Sequence, residues 1–336
     1  MLKKRILVII PVLFCFASIM SMDNSFFGDL FSHFRIFWTL LSFGILAIYS
    51  ILYVQKKLYE GFLIVIILAT FGLNVFLSFS FWTNSQTYEY LFFGSPDGIE
   101  YSEKIKLEIE RDTTVKKLLL MNVLSSNTNY DKVKRTIKNT DADFVVIIEL
   151  NQKWEKELKE LNKNYPYQFT EVREDNFGMG FYAKTGTYKS YDFGSNKNTS
   201  FSTPSLYVAE IESKNEFKFV ILHPILPINR DAYKSRNIYL NEVSTFMSNG
   251  IFQKTLLVGD LNCSPFSADY KKILKQSELK DSQENYGFQP TWNSSFPFLM
   301  QTQLDHVWHS NDIEILHRQT LPIEGSDHKA VLVLFR

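Results

Sequence analysis

Two cysteines in 336 residues, Cys15 and Cys263, are too few for a disulfide-stapled scaffold or a cysteine-held zinc cluster. An excess of charge of either sign is also missing. The 36 basic residues balance 36 acidic ones, so the chain as a whole is not a strongly basic nucleic-acid binder. Internal repeats and low-complexity stretches are absent. What is abundant is apolar and aromatic: 45% hydrophobic residues, with 30 Phe and 17 Tyr, exclude a disordered chain.

The charge that is present avoids one end. Residues 1–81 hold six basic side chains (Lys3, Lys4, Arg5, Arg35, Lys56, Lys57) and three acidic ones (Asp23, Asp29, Glu60). The remainder, 82–336, therefore carries 30 basic and 33 acidic residues, a net of −3. Three uncharged apolar runs fill the N-terminal part, at about 6–22, 36–54 and 61–82. The second and third reach the roughly 20 residues that span ~30 Å of hydrocarbon. They also lack the 3.6-residue polar stripe of a soluble core helix.

The first run follows Lys3-Lys4-Arg5, as in a signal peptide, but no small-x-small cleavage site follows it, which favours an uncleaved helix. The basic cluster at 3–5 and Lys56-Lys57 mark cytoplasmic flanks. Three crossings then place residues 83–336 outside the cytoplasm. The expectation is a multi-pass cell-membrane protein with an extracytoplasmic catalytic domain, its partner the lipid bilayer, and no obligate protein partner.

Residues 83–116 read as a connector. From 117 onward short apolar runs alternate with helical patterns. LLLMNV (118–123), DFVVIIEL (143–150), FKFVILH (217–223) and TLLVGD (255–260) read as strands, as do HVWHS and AVLVLF. Residues 130–139, 151–162 and about 231–248 read as helices. Trp154, Leu158 and Leu161 share one face of the second. The alternation predicts a layered α/β domain over 117–336.

Each apolar run stops on a polar group. LLLM ends in Asn122, FVVII in Glu149, FVIL in His223, TLLVG in Asp260-Leu261-Asn262 and TQL in Asp305. A last turn carries Asp327-His328 before the final strand. Any one of these could be a strand-end cap or turn former; six together point to a site. Strand ends are where an α/β scaffold aims side chains at a ligand. Hard oxygen donors such as Asn122 and Glu149 suit Mg²⁺ or Mn²⁺. Histidines beside carboxylates supply a proton donor and a stabiliser of transition-state charge. The combination fits metal-assisted attack on a phosphate ester.

IIEL (147–150), HPILP (223–227), GDLN (259–262) with SPFS behind it, PTW (290–292), QLDHV (303–307) and GSDH (325–328) occur in that order. Together they resemble the endonuclease/exonuclease/phosphatase superfamily, which includes DNase I-like nucleases, abasic-site endonucleases, inositol-polyphosphate phosphatases and sphingomyelinases. The N-terminal runs suggest its membrane-anchored bacterial branch. The resemblance implies a sandwich of two packed sheets flanked by helices over 117–336.

It also implies roles. Asn122 and Glu149 look like the first metal-binding pair, and Asp327 like a further metal or water ligand. Asp260 looks like the residue that orients or deprotonates the attacking water, and Asn262 like a phosphate contact. His328, oriented by Asp305, looks like the imidazole facing the phosphate. His223 resembles the second histidine of the DNase I and sphingomyelinase branches. Arg236 could reach phosphate or be a solvated helix charge. Trp292 could stack on substrate or pack in the core. Gly178 and Gly180 read as a strand bend or tight packing, and His306 and His309 as structural.

The function expected is a membrane-anchored, metal-dependent phosphoesterase acting on a lipid headgroup, inositol phosphate or nucleic acid. Two alternatives stay open. One is an extracytoplasmic DNase-like nuclease using Lys132, Lys134, Arg135 and Lys138. The other is a catalytically inactive binding module of the same fold, against which no aligned position is substituted.

Overall fold

The computed structural model describes residues 9, 13–57, 61–93, 96–192, 205–210, 217–249 and 253–336. The Lys3-Lys4-Arg5 cluster lies outside these residues. Two six-stranded mixed sheets form the body. The first contains β1 (Lys116–Asn122), β2 (Phe144–Ile148), β3 (Tyr167–Glu171), β4 (Met179–Ala183), β11 (Ile315–Pro322) and β12 (Lys329–Phe335), in the order β11-β12-β1-β2-β4-β3. The second contains β5 (Tyr188–Asp192), β6 (Ser205–Glu210), β7 (Lys218–Leu222), β8 (Thr255–Asp260), β9 (Lys280–Asp281) and β10 (Asp305–His309), in the order β5-β6-β7-β8-β10-β9.

Each sheet has one parallel pair among antiparallel neighbours: β1 with β2, and β7 with β8. A helix makes each crossover, Tyr130–Thr140 in the first and Arg230–Asn249 in the second. Strands covered on both faces read as unbroken apolar runs, because neither face meets water. Leu118, Leu120, Phe144, Val146 and Ile148 point between the sheets, against Phe219, Ile221, Leu256 and Val258. The alternate residues Leu119, Met121, Val145 and Ile147 point outward under Val133, Ile137, Trp154, Leu158 and Leu161. Val220, Leu222 and Leu257 likewise pack under Tyr239, Leu240, Val243 and Met247. The expected two-sheet sandwich flanked by helices is observed. The helix expected over 151–162 is α-helical from Gln152–Leu158 and tightens to 3₁₀ over Lys159–Lys163.

Gly178 is required by close approach: a Cβ there would sit 1.9 Å from the Leu150 carbonyl oxygen. That bears out the tight-packing reading of the FGMGF segment.

The 83–116 stretch, expected as a connector, instead holds two helices, Ser85–Phe93 and Glu103–Arg111. Ile105 and Ile109, four apart in the second, pack with Ile99 and Tyr101 against the outer face of the first sheet. The C-terminal Arg336 guanidinium bonds Glu108 and Asp112 at 3.0 and 3.1 Å. The amphipathic EKIKLEIER pattern explains the docking.

In the N-terminal part residues 13–20 are helical, followed by helices Phe26–Ser32, Arg35–Val54 and Gly61–Leu77. Among the described residues only Arg35–Val54, with 20 residues, is long and apolar enough to cross a membrane; Gly61–Leu77 has 17. The expected 61–82 span breaks at Ser78, whose hydroxyl caps Asn74 O and accepts the Trp82 indole N–H. These two helices pack on each other through an apolar cluster of Tyr49, Leu63 and Ile67 with buried polar residues beside it, and turn many apolar residues outward. Thr39, Ser42, Thr70 and Asn74 are buried, while Phe43, Ile48, Val54, Val65 and Phe76 are exposed. Arg35 donates to Asn74 Oδ1 at 2.9 Å and to Ser21 O at 3.2 Å.

Candidate active site

Six polar side chains converge where β1, β2, β7 and β8 end, where β10 begins and where the final turn enters β12. Asp260 is the centre. Its Oδ2 accepts from Asn122 Nδ2 at 3.1 Å, and its Oδ1 accepts from the Asn262 backbone N–H at 2.9 Å. His223 Nε2 and His328 Nε2 each lie 3.7 Å from the same Oδ2. Asp305 Oδ2 stands 2.8 Å from His328 Nδ1. Register explains part of this arrangement: Asp305 is directly opposite Asp260 in the β8–β10 pairing.

Glu149 follows β2 in the left-handed region, at φ +66°. Its Oε1 accepts from Asn122 Nδ2 at 3.2 Å, and its Oε2 from the Ser125 backbone N–H at 2.9 Å. Asn262 is also left-handed, at φ +49°, with its amide donating to Pro224 O at 3.0 Å. For a glutamate this conformation stores strain, whereas asparagine adopts it readily.

Burial separates the protonation states. The Asp260 carboxyl is raised to about 7 by burial and by the Asp305 charge, with His328 opposing. For His328 burial works against the cation, but Asp305 and Asp260 outweigh it and lift the imidazole to about 10. His223 is lowered to about 4 by burial and by repulsion from His328. One histidine is thus cationic and the other neutral at pH 7. Titratable groups pushed apart in this way can act as distinct acid, base and charge-stabilising partners.

The donor atoms of Asp260, Asp305 and His328 fall within 4.8 Å of one another, close enough to surround an ion. A cationic imidazole has no lone pair to give a metal, so this trio is better read as proton and charge machinery. A divalent cation fits beside it. Glu149 Oε1 and Asp260 Oδ2 converge on one Asn122 amide, and Asp305 Oδ1 and Asp327 Oδ1 are buried without a hydrogen-bond partner. Asp305, Asp260 and Asp327 act on the one imidazolium and Glu149 stands across the Asn122 amide, so negative charge remains that hard cations favour. Asn122 presents its NH₂ to the carboxylates while its Oδ1 accepts from Leu124 N at 3.1 Å. Its role here is to pin the two acids; ligation through oxygen requires the amide to turn over.

Asp327 Oδ2 accepts from the Trp292 indole N–H at 2.9 Å, so Trp292 holds Asp327. Arg236 is not a solvated helix charge. It is fully buried and donates to Asp29 Oδ2 and to the Asn262 carbonyl. His306 is structural, as expected, with its ring between Cys263 O, Tyr270 and Gln303.

Sequence reasoning missed Ser326 and Thr291. Ser326 donates to Asn122 O at 2.8 Å and accepts from His328 N at 3.1 Å, tying the last turn to the end of β1. Thr291 Oγ1 accepts from Leu304 N and Asp305 N, both at 3.1 Å. Both lie inside quoted motifs, GSDH and PTW, and that position was their only signal. Of the basic patch, Lys132 pairs with Glu324, Lys134 with Asp131 and Glu157, and Lys138 with Glu160.

Residues 119–328 match the model of the Endonuclease/Exonuclease/phosphatase family. None of the curated proteins matches the chain. Among solved structures it is similar to D. rerio TDP2 complexed with a single strand DNA product. That match has 16% identity and TM-score 0.55, and covers 66% of this chain and 99% of that one. It is also similar to an endonuclease/exonuclease/phosphatase family protein from Bacteroides thetaiotaomicron, with 19% identity and TM-score 0.54, covering 66% and 97%. A Bacteroides vulgatus endonuclease/exonuclease/phosphatase gives 14% identity and TM-score 0.54, covering 67% and 99%.

Proposed function

Because the chain belongs to the Endonuclease/Exonuclease/phosphatase family, whose members hydrolyse phosphoesters, we propose that it directs water onto a phosphoester with the help of Mg²⁺ or Mn²⁺, working from a membrane. The observation that carries the reading is the Asp305–His328 bond of 2.8 Å, with His328 Nε2 left facing Asp260 at 3.7 Å.

Glu149, with Asp260 beside it, would hold the ion, joined by Asn122 Oδ1 once its amide turns over. A bound divalent cation supplies positive charge to the phosphoryl oxygens. Asp260, raised to about 7, is placed to take a proton from water. His328, held cationic, offers Nε2–H to the charge that grows on the phosphoryl oxygens. Asn262 can add an amide N–H. His223, kept neutral by burial, supplies a second ring N–H while its other ring nitrogen retains a lone pair.

Three features support a membrane setting. The two long N-terminal helices turn large apolar side chains outward and bury Thr39, Ser42, Thr70 and Asn74 beside the apolar Tyr49, Leu63 and Ile67, which suits lipid better than water. Helix Phe26–Ser32 touches the Arg230–Asn249 helix of the second sheet, so the two ends of the intervening helical pair lie on one side, as a two-crossing hairpin requires. Exposed apolar side chains lie next to the site: Leu226 and Ile228, just beyond His223, are 46% and 73% exposed, and Phe296 beside Trp292 is 41% exposed, whereas Ser125 and Asn176 make the Glu149 side polar. With Lys132, Lys134 and Lys138 already paired to carboxylates, these apolar side chains favour an amphiphilic phosphoester, such as a lipid headgroup, over nucleic acid.

The full chain in nanodiscs, supplied with Mg²⁺ or Mn²⁺, is expected to hydrolyse phospholipid-type phosphoesters faster than single-stranded DNA. Faster cleavage of DNA would replace this reading with the nuclease one. Absence of hydrolysis of both would leave the binding-module reading.

A further inference from the structure

Arg236 lies inside the Arg230–Asn249 helix with no exposed surface. Its Nη1 donates to the main-chain carbonyl of Asn262 at 2.6 Å and to Asp29 Oδ2 at 2.9 Å. Its Nε and Nη2 donate to Asn237 Oδ1 at 3.0 and 2.8 Å. Asp29 is itself 4% exposed and belongs to helix Phe26–Ser32, more than two hundred residues away in sequence. The next carboxylate, Asp269, stands 3.8 Å from Nη2 and already accepts from the Tyr233 hydroxyl and the Asn237 amide. Around the pair, the Phe26 ring meets Tyr233 at 6.1 Å, and the Arg230 guanidinium covers Phe27 at 5.5 Å.

We propose that Asp29 and Arg236 are positioning residues of the active site: helix Phe26–Ser32, at the head of the apolar hairpin, completes the catalytic loop by neutralising the guanidinium that holds the Asn262 carbonyl. The inference rests on the reading that Asp260 and Asn262 take part in phosphoester hydrolysis.

Asn262 sits at φ +49°, a left-handed conformation open to asparagine, so its place is set by the bonds at its two ends. Its N–H bonds Asp260 Oδ1 and its carbonyl bonds Arg236, so the two ends of this one residue connect the proposed base to the guanidinium. A buried guanidinium without its main counter-charge is strongly unfavourable, and it relieves that by shifting toward whatever carboxylate or water it can reach. Loss of Asp29 therefore pulls Arg236 toward Asp269, away from the Asn262 carbonyl. The loop then relaxes and Asp260 loses its aim. Misplacement of reacting groups by about 1 Å can cost on the order of 100-fold in rate without loss of substrate binding. The N-terminal segment is on this view a working part of the enzyme as well as its mount.

The test uses the full chain in nanodiscs, with bis(p-nitrophenyl) phosphate and saturating Mn²⁺ as the probe. Asp29→Asn is expected to lower kcat by about 10- to 100-fold with KM within about twofold of the wild type, since binding contacts are untouched. Arg236→Gln should do the same, and the double variant should be no worse than the worse single, because the pair acts as a unit. Asp23→Asn, in the exposed stretch just before the same helix, should leave kcat unchanged.

Should Asp29→Asn fail to fold, Asp29→Glu keeps the charge but displaces it by one methylene. A several-fold fall in kcat at unchanged KM is then expected. Wild-type kcat in a folded Asp29→Asn or Asp29→Glu, or losses confined to KM, would overturn the inference while leaving the proposed hydrolysis intact. No turnover by the wild type on any phosphoester would instead remove the reading on which it rests.

Discussion

Asp305 Oδ2 lies 2.8 Å from His328 Nδ1, joining the start of β10 to the turn before β12 across a gap between strands of different sheets. The bond fixes which ring nitrogen faces the other carboxylates. His328 Nε2 is left 3.7 Å from Asp260, and the Thr291 and Ser326 hydroxyl oxygens accept from the backbone N–H groups of Asp305 and His328.

Removing that imidazole should therefore act on the chemical step. His328→Ala is expected to lower kcat by a factor on the order of 10²–10⁴, with little change in KM. Asp305→Asn should also be damaging, and the double variant little worse than the worse single. Additive losses in steady-state kinetics would show that the two do not work together.

The same bond predicts a pH dependence of stability. His328 is raised from 6.5 to about 10 on folding, so its cation stabilises the folded chain fully below pH 6.5. That contribution fades as pH rises toward 10. Over that interval it is worth on the order of a few kcal/mol, the side chain being nearly buried. Without added metal, His328→Gln should lower Tm most at pH 6 and least at pH 10. A gap that widens with pH would contradict the raised pKa.

Metal binding should be visible without activity. Mn²⁺ or Mg²⁺ added to the chelator-treated chain is expected to raise Tm, because it neutralises carboxylates that face a single imidazolium. Glu149→Gln should reduce that shift sharply, and excess chelator should abolish hydrolysis. Full turnover in chelator would sink the metal-assisted mechanism.

Topology offers a further check. The Asp29–Arg236 pair requires residues 26–32 and 230–249 on one side of any bilayer. Reporter fusions after Gln55 and after Ser85 should therefore give opposite signals, with the second extracytoplasmic. Matching signals would rule out the hairpin.

The layered α/β class and the positions of the site residues were readable in the amino-acid order, because strands buried on both faces must be continuously apolar and their ends must turn polar. Asn122, Glu149, His223, Asp260, Asp305 and His328 could be picked out on that ground alone. Their convergence on Asp260 could not, since it depends on register between β8 and β10 and on the packing of one sheet over the other. Protonation states were equally out of reach. Two histidines with the same intrinsic pKa end about 4 and about 10 because one is buried beside a cation and the other is buried between carboxylates. Arg236 shows the limit most plainly. A lone arginine on a helix reads as surface charge, and only the fold brings Asp29, from the other end of the chain, to within 2.9 Å of it. Local pattern follows from solvent exposure residue by residue, whereas a buried charge is decided by which distant partner the completed packing leaves beside it.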